Sequence, residues 1–216
     1  MKNLFWLLFI FFPGMFLTAQ TPKNVDGGAV KTLNDVSKKY AEFSTIQFDF
    51  TYKREKNTKT LETFKGKLFL KGTSYQTAHN DQQFYCDGVT IWNYQPVTNE
   101  VSIFEYDENE EQWLNPAKML ANWSKLYRAK LIREEFVNNK ILLVIALTPV
   151  KIQSYYKIQL KIEQATNELK SIAIYEKDNT IHTYIVDKMI VNKPLDDSKF
   201  KFDVSQYAGI QINDMR

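Results

Sequence analysis

The sequence is poor in the residues that most often carry reaction chemistry. Cys86 is its single cysteine, and His79 and His182 are its two histidines among 216 residues. One cysteine excludes an intramolecular disulfide, so stability has to come from a packed core. A zinc ion takes four ligands drawn from thiolate, imidazole and carboxylate, and one thiol with two scattered imidazoles does not supply that set. Activated-serine chemistry has no G-x-S-x-G elbow to stand on, and no nucleophile is spaced toward a base and an orienting group. Beside Phe84 and Tyr85, Cys86 reads as a small buried hydrophobe on a strand. Each histidine stands alone in an alternating pattern and reads as an ordinary strand residue.

Proline and glycine are also scarce, six and seven residues. No stretch rich in Pro, Gly or Ser divides the chain, which argues for one domain. Charge is nearly balanced, 28 basic against 25 acidic residues, so there is no electrostatic case for nucleic acid. No fixed-period repeat points to a propeller or solenoid. The acidic run Glu105, Asp107, Glu108, Glu110, Glu111 lacks the glycine and spacing of an EF-hand loop. It reads as a solvated loop whose charge suits the start of a following helix. Paired carboxylates of a hydrolase would show only by their separation in space; Asp49 and Glu105 are the candidates. No metal, no cofactor and no catalytic residue is expected, and enzyme is the weaker class.

What is present begins with MKNLFWLLFIFFPGMFLTAQ: Lys2, an apolar run from Leu4 to Phe12, a Pro13-Gly14 break and Leu17-Thr18-Ala19. This predicts a cleavable secretory signal over 1–19 and a mature domain over 20–216. The apolar run is about half the roughly 20 residues of a membrane-spanning helix. No cysteine follows it to receive a lipid, so a soluble exported protein is expected.

Periodicity then sets the elements. In AVKTLNDVSKKYAEF, Val30, Leu33, Val36 and Tyr40 recur at helical spacing and predict an amphipathic helix. From Thr45 the period becomes two: Ile46, Phe48, Phe50 and Tyr52 alternate with polar residues. Further strands are predicted over 63–71, 74–79, 82–87, 89–94, 100–106, 128–136, 140–148, 154–163, 168–176 and 179–191, with Asp87-Gly88 as a type I′ hairpin turn. In NPAKMLANWSKL, Asn115 reads as N-cap and Pro116 as first residue of a second helix whose stripe is Met119, Leu120, Trp123 and Leu126. About eleven antiparallel strands and two helices make an α+β protein, mainly β, with one curved sheet and helices over its hollow side.

These segments resemble, in order, the periplasmic outer-membrane lipoprotein carrier proteins of the LolA family. The carriers of the resemblance are the first helix and strand, GKLFLK, the hairpin DGVTIWNYQPVTNEV, NPAKMLANW, and the tail KFKFDVSQYAGIQINDMR. Asp87-Gly88, Trp92, Tyr94 and Pro96 are its most specific residues. The resemblance implies a single incomplete antiparallel β-barrel under an α-helical lid, in a monomeric periplasmic carrier. It also implies partners: acylated lipoproteins, an inner-membrane ABC lipoprotein-releasing transporter and an outer-membrane acceptor. Where the family often carries an arginine and proline after GKLFLK, this chain has Lys71-Gly72-Thr73-Ser74. Lys71 is one position early and on the other strand face, so the arginine's lid-holding role is not transferred to it.

Burial of acyl chain is worth about 0.8 kcal/mol per methylene, so a carrier needs apolar space, and rings line such space at low entropic cost. The lining candidates are Phe48, Phe50, Tyr52, Leu68, Phe84, Trp92, Tyr94 and Phe104 on strands, with Leu33, Met119, Leu120 and Trp123 on the lid. For each of them taken singly, plain core is the default reading. The alternative function is an exported lipid- or small-molecule-binding β-barrel module unrelated to lipoprotein sorting.

Overall fold

The computed structural model describes residues 26–79, 82–107 and 115–216. The predicted signal, Glu108, Glu110, Glu111 and the side chain of His79 lie outside the described residues. The elements run α1 (Gly27–Ala41), β1 (Ile46–Lys56), β2 (Lys59–Lys71), β3 (Ser74–His79), β4 (Gln82–Cys86), β5 (Thr90–Gln95) and β6 (Glu100–Glu105). There follow α2 (Pro116–Ala121), α3 (Trp123–Leu126), β7 (Tyr127–Val137), β8 (Lys140–Pro149), β9 (Tyr155–Glu163), β10 (Glu168–Glu176), β11 (Thr180–Val191) and β12 (Gln211–Asp214).

The twelve described strands join one sheet in the order β12-β6-β5-β4-β3-β2-β1-β11-β10-β9-β8-β7. Their pairings are antiparallel except for β12 on β6. The two ends, β7 and β12, are not bonded to each other, so the sheet curls without closing into a barrel. Register shifts supply the curl: β1 slips against β11 at Asp49/Phe50 and against β2 at Arg54/Glu55, and β7 slips against β8 at Leu131/Arg133. Each such bulge adds local twist.

Turn chemistry keeps the long strands in register. Asn57-Thr58 and Asn138-Asn139 both hold positive φ at two successive residues, the requirement of a type I′ turn. The hairpin between β4 and β5 departs from the sequence expectation. Asp87 and Thr90 form its closing pair, and Gly88 alone has positive φ, +92°, so the loop is Gly88-Val89 in the pattern of a II′ turn. Asp87 stays outside because its Oδ1 accepts the backbone N–H groups of Val89 and Thr90.

On the hollow side, α1 buries Ala29, Leu33, Val36 and Tyr40 against a core that includes Ile145, Leu147, Ile158, Leu160 and Ile162. Full burial of each aliphatic side chain is worth about 1.5–3 kcal/mol. Polar clamps fix both ends of the helix. Asp26 Oδ1 accepts the N–H groups of Gly28 and Ala29 as an N-cap, while its Oδ2 accepts that of Leu131 on β7 at 2.8 Å. Tyr40 Oη accepts the buried N–H of Leu169 on β10 at 3.1 Å. Helices α2 and α3 lie beside α1, joined to it by Trp123 Nε1 donating to Asn34 Oδ1.

The chain after β11, which in the sequence reads only as a family-like tail, makes a second layer. Residues 197–206 make two short 3-10 turns, and Phe202 packs ring against ring with Tyr85, Tyr94 and Tyr207. Together with Val101 and Ile103 these form a separate apolar cluster. Strand β12 then pairs β6.

The helix cap and the tight ring contact can each be tested by one substitution. Asp26→Ala should lower stability by about 1 kcal/mol through the lost cap, read as a lower urea midpoint at pH 7. The Leu131 N–H bond, above all, lowers the Asp26 pKa below its ordinary 3.8, so this contribution is whole above that value and is lost as the pH falls through the lowered pKa; the gap to the parent should close in acid. At Gly66 an added Cβ would lie 2.5 Å from the Phe50 ring, so Gly66→Ala should cost about 1–3 kcal/mol as an overpacked site. A thermal melt unchanged from the parent would contradict that.

Candidate functional site

Helices α1 to α3 fill only part of the hollow side. Next to them, under the central strands, an apolar cavity of about 280 Å³ remains. Strand β1 supplies Phe48, Phe50 and Tyr52 to its wall, alternate residues of one strand face. Its neighbour β2 adds Leu68, opposite Phe48 in register, and β4 adds Phe84. On the other side β10 gives Leu169, Ile172 and Ile174, and β11 gives His182, Tyr184 and Val186. Pro116 at the start of α2 closes the roof. The rings interlock: Phe50 meets Tyr184 edge-on at 5.7 Å, and Tyr52 lies 5.0 Å from Tyr184 and 4.8 Å from Phe64.

Five of the eight strand candidates therefore come together: Phe48, Phe50, Tyr52, Leu68 and Phe84. The other three do not. Trp92 and Tyr94 point to the opposite face of the sheet and pack in the second cluster with Phe202. The reason is register: Tyr94 sits opposite Val101, which belongs to that same cluster. Phe104 is partly exposed near the β6 edge and does not reach the cavity. The lid candidates Leu33, Met119, Leu120 and Trp123 are buried in the main core beside the cavity, not on its wall.

Sequence reasoning missed the contributions of β10 and β11. Their signal was present, since Ile172 and Ile174 alternate, but it names the same cavity only once β1 is known to pair with β11 and place Tyr52 opposite Tyr184. That pairing spans most of the chain and leaves no local trace.

Polar groups gather at one end. Tyr52 Oη and His182 Nδ1 share a hydrogen bond of 2.6 Å, and His182 Nε2 lies 3.4 Å from a Glu176 carboxylate oxygen. Burial, then the Glu62 charge, pushes the Tyr52 phenol up to about 12. Burial also raises the Cys86 thiol to about 11, which leaves it a poor nucleophile. Asp49 accepts from Gln47 Nε2 beside Lys67, and Glu105 is exposed, so these two carboxylates do not converge on a cleft. Among the described residues no group of three or more His, Cys, Asp and Glu could hold a metal ion. A wider, more open depression of about 900 Å³ has mixed walls, with Lys65, Lys67, Asp49, Asp187 and Lys188 beside Phe64 and Phe69.

The roof is held by polar bonds at its edge. Asn115 caps α2 through Oδ1 and donates from Nδ2 to the Gly72 carbonyl at 3.1 Å, tying the helix to the β2–β3 turn. Lys71 turns away from it and binds Asp197 and the Leu195 carbonyl in the C-terminal layer.

Among known proteins, an uncharacterized conserved protein from Thermus thermophilus has the same fold, with TM-score 0.56 at 9% identity, over 86% of this chain and 98% of its own. A LolA superfamily protein from Nitrosomonas europaea gives TM-score 0.45 at 14% identity, covering 81% of this chain and 97% of its own. A putative outer membrane lipoprotein-sorting protein domain from Vibrio parahaemolyticus gives 0.46 at 9%, covering 81% and 96%. No curated protein matches in sequence. The family model described as outer membrane lipoprotein carrier protein LolA matches residues 41–203. With most of its length so matched, from the end of α1 into the C-terminal layer, the chain belongs to the LolA family of outer membrane lipoprotein carrier proteins.

Proposed function

We propose that this protein shields the acyl chains of lipoproteins in its cavity and carries them through the periplasm, from an inner-membrane ABC transporter to an outer-membrane acceptor. The observation that carries the reading is the apolar space that the described residues leave beneath α2. Protein interiors are otherwise close-packed, with few voids larger than a water molecule. Family membership supports the periplasmic location and the shielding role. No described helix is long and apolar enough to cross a membrane, and a monomer is sufficient for the task.

The magnitudes suit reversible carriage. If a methylene needs about the 30 Å³ of a water molecule in the liquid, 280 Å³ holds roughly ten methylenes. At about 0.8 kcal/mol each, burial yields on the order of 8 kcal/mol before the cost of immobilising the chain, which sets micromolar as the upper limit of affinity. That is tight enough to hold a chain and weak enough to surrender it. Cargo with several chains requires the roof to lift. The six residues of α2 and four of α3 meet at Asn122, whose side chain makes no cap for α3. Lifting α2 would break the Asn115–Gly72 and Lys118–Tyr106 hydrogen bonds and expose Met119 and Leu120.

Acylated peptide binding, followed by fluorescence and native mass spectrometry, tests the reading. The parent should bind one acyl chain per protein with micromolar or weaker affinity. Ile172→Trp, which fills the cavity from its wall, should weaken binding about tenfold or more while the far-ultraviolet spectrum is retained. Failure of the parent to take up any acylated peptide or lipid would sink the proposal.

A further inference from the structure

Beyond the ring pair Tyr52–Tyr184 the concave face changes character. The next row across the sheet reads Glu62, Arg54, His182 on β2, β1 and β11, each opposite the next in register. Glu176 at the end of β10 joins it through His182. Within the row Arg54 Nε donates to Glu62 at 3.1 Å, so its charge is already answered. Farther out, Lys56 and Asp178 balance each other at 2.7 Å. The row beside the cavity carries two carboxylates, one guanidinium and the His182 imidazole.

We propose that this row is a head-group site, which accepts single-chain amphiphiles with a net-neutral head and discriminates against free fatty-acid carboxylates. The inference rests on the reading of the cavity as an acyl-chain site and adds what the chain is attached to. His182 and Tyr52 belong both to the apolar wall and to the polar row. An amphiphile with its tail among Phe48, Phe50 and Ile172 places its first polar atoms there. Neutral esters, hydroxyls and amides can exchange hydrogen bonds with a phenol–imidazole–carboxylate chain, which offers both donors and acceptors. A carboxylate meets a different field. It would lose hydration against the cavity rim and face Glu62 and Glu176, with Arg54 already engaged. The Tyr52 phenol experiences that field: after burial, Glu62 and Glu176 both oppose its ionisation and Arg54 only partly offsets them. What disfavours a phenolate at this point disfavours a carboxylate. The ester and amide links of an acylated protein are neutral heads in this sense, whereas a stray fatty acid would occupy the carrier without purpose.

The test is displacement of a neutral naphthylamine dye by three ligands of equal chain length: a monoacylglycerol, a lysophosphatidylcholine and the free fatty acid. In the parent protein at pH 8 the fatty acid should compete about tenfold more weakly than the two net-neutral ligands. The double variant Glu62→Gln, Glu176→Gln should strengthen fatty-acid competition several-fold relative to the two net-neutral ligands and so narrow the gap between them. Equal competition by all three ligands in the parent, or an unaltered gap in a folded double variant, overturns the head-group assignment alone. If the dye binds but none of the three displaces it, the acyl-chain reading falls and this inference with it.

Discussion

Helix α1 covers part of the hollow side of the sheet and stops there, because both of its ends are tied to backbone donors of strands it crosses. Asp26 takes the Leu131 N–H of β7 and Tyr40 takes the Leu169 N–H of β10. A buried N–H without a partner costs about 1–3 kcal/mol, so the Tyr40 end, which holds the buried Leu169 N–H, is not free to slide. The helix therefore covers one part of the hollow side and leaves beside it a cavity walled by β1, β2, β4, β10 and β11. Helices α2 and α3, packed along α1 and bonded to it through Trp123 and Asn34, extend the cover without filling the gap. The cavity is the remainder of a sheet too wide for its helices.

Much of this was legible in the sequence, and the parts that were not share one cause. The alternation of Ile46, Phe48, Phe50 and Tyr52 is local, as is the cap and proline of Asn115-Pro116, and both elements formed where the pattern placed them. Which of two sheet faces a ring serves is not local. Phe84 and Trp92 stand on adjacent strands with similar patterns, yet Phe84 lines the cavity and Trp92 packs outside. Alternation gives the two faces of a strand but not which one is inside when both are covered. Here both are covered, because the C-terminal segment crosses the outer side with Phe200 and Phe202 buried. Strand β12 was invisible for a related reason: four residues, QIND, with an exposed pattern and a parallel partner that lies far back in the chain at Glu100–Glu105.

The rings of the β4–β6 region thus serve two ends. Inward, Phe84 completes a wall that must stay smooth and dry. Outward, Tyr85 and Tyr94 with Phe202 and Tyr207 make a dense aromatic layer, centroids 4.5 to 5.6 Å apart, that pins the C-terminal segment. Lys71 adds its ion pair with Asp197 to the same layer.

An unfilled apolar space has its own energetic consequence. Its lining lacks the contacts that a close-packed interior would supply, and that loss is set against a stability of only about 5–15 kcal/mol for an ordinary domain. Anchored at the Leu131 and Leu169 N–H groups, α1 does not move across to fill the space.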